Sequence, residues 1–171
     1  MKTSTFALIF GIAYLGAGLL GLVPAALMPP PSDAPPTHFT MLYGYLLGLF
    51  PVNVLHSAVH IAIGAWGLAA WRGHAADARV YARALAIFYG ALAVLGMMPG
   101  MNTLFGVLPI HGHDVWLHAG TAVAAAYFGW RAELPAERRT LAPDRRLRML
   151  PVARERRLGL ADRRSMAYSG V

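Results

Sequence analysis

Four long apolar segments constrain the fold of this 171-residue chain more than any other feature. The segments are Phe6–Met28, Val52–Trp71, Val80–Met98 and Val115–Trp130. A helix that crosses the hydrocarbon core of a bilayer needs about 20 residues, and the fourth segment is short of that length. Only 13% of the residues are charged, whereas a soluble domain carries about 25%. We therefore predict an all-α fold, a bundle of four transmembrane helices.

Basic residues predict the orientation of this bundle. The connections 29–50 and 99–114 contain no Lys or Arg, whereas Lys2, Arg72 and Arg79 flank the other ends of the spans. The positive-inside rule then places both termini in the cytoplasm. Lys2 alone is a weak basic region and the first apolar run is long, which favours a retained span over a cleaved signal peptide.

Small residues predict where the helices pack, because they let helix backbones approach closely. They form a face of glycines in the first segment and a face of alanines in the second: Gly11, Gly16, Gly18 and Gly21, then Ala58, Ala62 and Ala65. The apolar run MLYGYLLGLF before Pro51 is predicted to form a short interfacial or re-entrant helix.

A weak internal repeat relates the two halves of the bundle. IFGIAYLGAGLLGLVP is similar to IFYGALAVLGMMP, and GLFPVNVLH is similar to GVLPIHGHDVWLH. Helices one and three would then correspond, as would helices two and four, in a parallel two-fold repeat. The repeat predicts that His56 and His118 lie at matching depths.

Three histidines interrupt the apolar segments: His56 and His60 in LHSAVH, and His118 in WLH. An ionisable side chain in hydrocarbon is costly, which makes each a candidate functional residue. His56 and His60 share a helix face because they are four residues apart. They could bind one metal ion, to which His118 would add a third imidazole.

Two interpretations of these histidines stay open. Three imidazoles suit zinc or copper, and a pair on facing helices suits haem or the magnesium of a chlorophyll-type pigment. Asn53, Ser57 and Asp114 would then orient the imidazoles. Alternatively, the histidines are structural and tie helix two to helix four by hydrogen bonds.

The sequence offers little support for catalysis. Every Asp and Glu lies outside the four apolar segments, so no paired-carboxylate acid–base site is predicted within the membrane. The chain has no cysteine, which excludes thiolate metal sites and a cysteine nucleophile. It also lacks a Gly-rich phosphate loop and a recognisable nucleophile motif. A non-catalytic protein is favoured.

Three stretches resemble a bacterial membrane family, domain-of-unknown-function family four-three-eight-three, over residues 4–130. They are TFALIFGIAYLGAGLLGLVP, LFPVNVLHSAVHIAIGAWGLA and DVWLHAGTAVA. The family's Leu-His-x-x-Val-His run matches Leu55 to His60, and its Trp-Leu-His run matches Trp116 to His118. The resemblance implies a four-span protein of the bacterial cytoplasmic (inner) membrane and carries no established activity. We expect two parts: a transmembrane domain, 1–130, and an Arg-rich cytoplasmic tail, 131–171.

The tail holds most of the chain's positive charge. It contains eleven Arg and five acidic residues, a net +6 of the total +7. Basic residues near an anionic membrane surface each add about 1 kcal/mol of attraction. Ten of the arginines are predicted to contact lipid or a protein partner: Arg138, Arg139, Arg145, Arg146, Arg148, Arg154, Arg156, Arg157, Arg163 and Arg164.

These features predict a non-catalytic accessory or scaffold subunit of a larger membrane complex, of an energy-converting or photosynthetic kind. Its partners would be membrane lipid and other proteins. Nucleic-acid binding fits the charge of the tail but not a four-span anchor. The alternative is a metal- or haem-binding membrane protein whose ligands are His56, His60 and His118, near the outer face.

Overall fold

A computed structural model describes residues 1–131, which are mostly helical. The four helices are α1 (Thr3–Leu20), α2 (Val54–Arg72), α3 (Ala75–Met97) and α4 (His113–Trp130). A short 3-10 helix, Pro24–Ala26, and three strands connect α1 to α2: β1 (Leu27–Met28), β2 (Gly44–Leu46) and β3 (Phe50–Val52). The ten tail arginines lie outside the described residues.

Three of the described helices, α1, α2 and α3, are long and apolar enough to cross a membrane. About a third of the residues in each candidate span are buried inside the protein, 33%, 33% and 39% respectively, so most residues of each span are not buried by the protein itself. α4 has 18 residues, as α1 does, but it begins with His113 and Asp114. The four-span bundle, its orientation and its internal repeat stay predictions.

Glycine contacts bring α1 and α2 together, partly as predicted. A Cβ on Gly11 would lie 2.9 Å from the backbone nitrogen of Leu68, and a Cβ on Gly18 would lie 2.7 Å from the carbonyl oxygen of Ser57. The predicted alanine face of α2 is wrong, because Ala58, Ala62 and Ala65 are exposed. Gly64 and Gly67 contact α1 instead: a Cβ on Gly64 would overlap the backbone of Leu15, and one on Gly67 would lie 2.8 Å from Gly11.

α3 packs mainly against α4, as α1 does against α2. Aromatic side chains fill the space between these two pairs of helices. Phe6, Tyr81 and Tyr89 are at most 1% exposed. Phe6 stacks on Phe128 at 5.0 Å between ring centroids. In the N-terminal half of α3, the Arg83 side chain donates a hydrogen bond of 2.8 Å to the carbonyl oxygen of Gly129 in α4.

The connection between α1 and α2 differs from the prediction in two ways. α1 ends at Leu20 rather than Met28, because a proline ring clashes with the carbonyl four residues before it and Pro24 is four residues after Leu20. The run before Pro51 forms a β-hairpin instead of a helix. Its tip, Leu47 and Gly48, has φ of 55° and 74°, left-handed values that interrupt any helix.

The hairpin belongs to a three-stranded antiparallel sheet in the order β1-β2-β3. β3 runs directly into Asn53, the N-cap of α2. The connection from α3 to α4 is irregular and reaches α4 through Gly112, whose φ is 66°. Both connections therefore lie at the end of the bundle where α2 and α4 begin.

The close approach of α1 and α2 predicts different costs for two Gly-to-Ala substitutions. Gly64→Ala should lower the free energy of unfolding by about 1–3 kcal/mol, because its methyl group would overlap the backbone of Leu15. Gly16→Ala is the matched control, since nothing lies within 4 Å of its added Cβ. It should be neutral or stabilising. Thermal unfolding of both variants in detergent checks this, and equal midpoints would contradict the packing described.

Candidate metal centre

Asn53 fixes the start of α2 and with it the position of His56. Its side-chain oxygen accepts a hydrogen bond of 2.9 Å from the backbone N–H of His56, which is the usual N-cap interaction. Its amide nitrogen donates to the carbonyl oxygens of Phe39, at 3.2 Å, and Val107, at 2.8 Å. Asn53 therefore joins both connections to α2, and it positions His56 through the backbone rather than through the imidazole.

The three predicted histidines meet at one point. His56 and His60 lie one turn apart at the start of α2, and His118 lies in the second turn of α4. One imidazole nitrogen from each lies within 4.8 Å of the other two. The three side chains are buried, with exposed fractions of 3%, 5% and 0%. The structure therefore brings together the three histidines that the sequence predicts could share one ion.

Asp114, predicted to orient the imidazoles, lies beside this cluster. It is the second residue of α4 and is 1% exposed. Its Oδ2 atom lies 3.7 Å from Nε2 of His56 and 3.7 Å from Nε2 of His118. Asp114 precedes the predicted apolar segment Val115–Trp130 but lies inside α4, which begins at His113. The sequence indicates this contact, because Asp114 and His118 are four residues apart and therefore share a helix face.

Ser57 does not face the imidazoles. Its hydroxyl contacts the α1–α2 interface, where a Cβ added to Gly21 would overlap it. This buried oxygen has no hydrogen-bond partner among the described residues. Of the three residues predicted to orient the histidines, Asp114 contacts the rings, Asn53 positions the backbone, and Ser57 packs against α1.

Several polar atoms of the cluster lack a hydrogen-bond partner within the described residues. They are His60 Nε2, both ring nitrogens of His118, and Asp114 Oδ2, whereas the His56 ring hydrogen-bonds to the backbone of Pro51 and Pro109. A buried polar group without a partner costs about 1–3 kcal/mol, and such groups are uncommon in native proteins. A cation among these atoms would satisfy several of them at once, and this is the strongest indication of a ligand.

Tyrosines from α1 and α3 close the inner side of the cluster. The ring of Tyr14 lies 5.1 Å from that of His60, and the ring of Tyr89 lies 5.0 Å from that of His118. The two tyrosines stack on each other at 5.0 Å. The Tyr14 hydroxyl also shares a hydrogen bond of 2.9 Å with Thr121 of α4. These contacts hold the two histidine-bearing helices in register with α1 and α3.

The geometry suits a single ion better than a haem. Axial ligands of a haem lie on opposite faces of a flat macrocycle. Here a third nitrogen lies within 4.8 Å of both possible axial nitrogens, so it would occupy the volume of the macrocycle. In a tetrahedral zinc site with bonds of about 2.0–2.1 Å, ligand atoms are roughly 3.4 Å apart. The three nitrogens here lie within 4.8 Å of one another, so the rings would have to approach more closely around such an ion.

A cavity of about 350 Å³ lies beside the cluster, between α1, α4 and the β2–β3 hairpin. His60 and Asp114 are the polar residues that line it, and the other lining residues are apolar or glycine. The imidazole and the carboxylate therefore border a space that is otherwise hydrocarbon-like, while His60 Nε2 and Asp114 Oδ2 themselves are buried.

Comparison with known proteins places this site within one family. A family model described as "Domain of unknown function (DUF4383)" matches residues 4–131, from the first turn of α1 to just past the end of α4. No curated protein and no solved structure matches the chain. The matched range includes the three histidines and Asp114, and the predicted Arg-rich tail lies beyond it. The chain therefore belongs to the DUF4383 family, as its motifs indicated.

Proposed function

We propose that this protein is a metal-binding integral membrane protein. His56, His60 and His118 are the ligands, and Asp114 lies beside them. The observation that carries the proposal is the convergence of three buried imidazole nitrogens within 4.8 Å of one another, next to a buried carboxylate. The lack of hydrogen-bond partners for His60 Nε2 and for both ring nitrogens of His118 argues against a purely structural role, in which these imidazoles would bond to neighbouring helices.

The donor set favours zinc. Catalytic zinc sites typically have three protein ligands, in some cases three histidines, and leave the fourth position open for water or substrate. Imidazole also suits copper, and Cu²⁺ generally binds nitrogen and oxygen sites more tightly than Zn²⁺ does. The histidines are the ligands and Asp114 is close enough to accept a hydrogen bond from a water molecule in the open position. Haem and chlorophyll-type pigments are less well suited, because three nitrogens converge.

The proposed site lies near the outer face of the bacterial inner membrane. Three apolar helices support membrane embedding, and the positive-inside rule supports cytoplasmic termini. α2 and α4 would then begin on the outer side, with the sheet and the irregular connection covering them.

The accessory-subunit role predicted from the sequence now ranks second. It depended on the arginine-rich tail, which lies outside the described residues, whereas the metal-binding role is supported by the geometry of described residues. The two roles are compatible, since a metal site in the bundle leaves the tail available for lipid or protein contacts.

Metal analysis of purified protein tests the proposal. After incubation with Zn²⁺ and removal of the excess, the wild type should retain about one ion per chain, because three convergent imidazoles form one site. His118→Gln should lose most of this metal, since it removes one of three ligands. Elemental analysis of both proteins provides the measurement.

The matched control is His74→Gln. Its side chain is 92% exposed and caps α3, outside the cluster. This variant should retain the wild-type metal content. Equal metal content in all three proteins, or none in the wild type, would contradict the proposal.

Asp114→Asn tests the part of the carboxylate. The substitution keeps the shape of the side chain and removes its charge, so the metal affinity should fall about 10–100-fold, as it does when a group that supports the ligands is lost. Competition with a zinc chelator of known affinity measures the change. An unchanged affinity would show that Asp114 does not act on the metal.

A further inference from the structure

The cavity beside the proposed metal has the form of a site for an amphiphile. Its volume of about 350 Å³ is within the range of small-molecule sites, roughly 300–1,000 Å³. Ile12, Gly16 and Leu20 of α1 form one wall, and Leu117 of α4 forms another. His60 and Asp114 are its polar lining residues, and their buried atoms His60 Nε2 and Asp114 Oδ2 are without hydrogen-bond partners among the described residues.

The rim of this cavity faces outward from the bundle. Ile12, Leu47 and Leu117 are 58%, 65% and 42% exposed. Ile12 lies in a candidate membrane span, so this surface contacts acyl chains rather than water. A ligand would therefore enter sideways from the bilayer, which selects for molecules with a long alkyl chain.

The charge of the site selects the head group. A divalent ion with three neutral imidazoles and one carboxylate has a net charge of +1. Burying a net charge in an apolar environment is unfavourable. One anionic oxygen donor would neutralise the centre and occupy the open position of a three-histidine site. A carboxylate at the end of an alkyl chain meets this requirement and fits the apolar walls.

We propose that the cavity binds a long-chain carboxylate from the outer leaflet, whose head group coordinates the metal and whose chain lies along α1. The proposal rests on the metal site proposed above. Gly16 is the residue at which this proposal can be tested. It lines the cavity, and nothing lies within 4 Å of a Cβ added there. A larger side chain at this position would occupy the space of the alkyl chain without overlapping the backbone of α2.

Cobalt substitution provides the test, because the visible absorption of Co²⁺ reports changes in its ligands. Co²⁺-loaded protein in non-ionic detergent is titrated with palmitate, with acetate and with hexadecanol. Palmitate should change the spectrum at a concentration at least about tenfold lower than acetate, since its chain adds apolar contact. Hexadecanol, which lacks the charge, should leave the spectrum unchanged.

Gly16→Leu separates binding in the cavity from partition of palmitate into the detergent. The variant should bind Co²⁺ as the wild type does, respond to acetate, and lose the preference for palmitate. Gly120→Leu is the matched control: its Cβ also meets nothing within 4 Å, but it does not line the cavity. It should respond to palmitate as the wild type does.

The outcomes distinguish the two proposals. A wild-type protein that binds no Co²⁺ overturns both. A protein that binds Co²⁺ but shows no palmitate response, equal responses to palmitate and acetate, or an unchanged response in Gly16→Leu overturns the carboxylate site alone. In that case water or hydroxide completes the coordination.

Discussion

The burial of three imidazoles and one carboxylate among apolar helices is the constraint on which the rest of the structure depends. His56, His60, His118 and Asp114 are at most 5% exposed, and several of their polar atoms have no hydrogen-bond partner within the described residues. Such an arrangement is costly unless a ligand compensates it. Asn53 links α2 to both connections, and the Tyr14–Thr121 hydrogen bond links α1 to α4. These contacts hold the four side chains together against that cost.

Much of the site could be predicted from the sequence because it follows helical spacing. His56 and His60 are four residues apart, and their place in an apolar run marks them as exceptional. Asp114 was assigned only an orienting role, because it immediately precedes the fourth apolar run and hydropathy alone places it outside the span. The helix in fact begins at His113, so Asp114 is one turn before His118. Hydropathy locates apolar residues and does not locate the first turn of a helix.

The errors in the fold predicted from the sequence have a different origin. The hairpin of β2 and β3 depends on pairing with β1, about 20 residues earlier, and on left-handed conformations at Leu47 and Gly48. No local hydropathy pattern encodes such pairing. The contact between α1 and α2 uses Gly64 and Gly67 rather than the alanines of the same helix. Glycine and alanine are both small residues, so size does not decide which of them contact α1. The rotation of α2 about its axis decides it, and the histidines and Asn53 help to fix that rotation.

X-ray absorption spectroscopy of the zinc-loaded protein tests the central claim most directly, because it reports the ligands themselves. The account predicts a first shell of nitrogen and oxygen atoms at about 2.0–2.1 Å, with outer-shell scattering from three imidazoles. A shell of six oxygens, or scattering from fewer than two imidazoles, would contradict it. That result would mean that the histidines of α2 and α4 are brought together by packing alone.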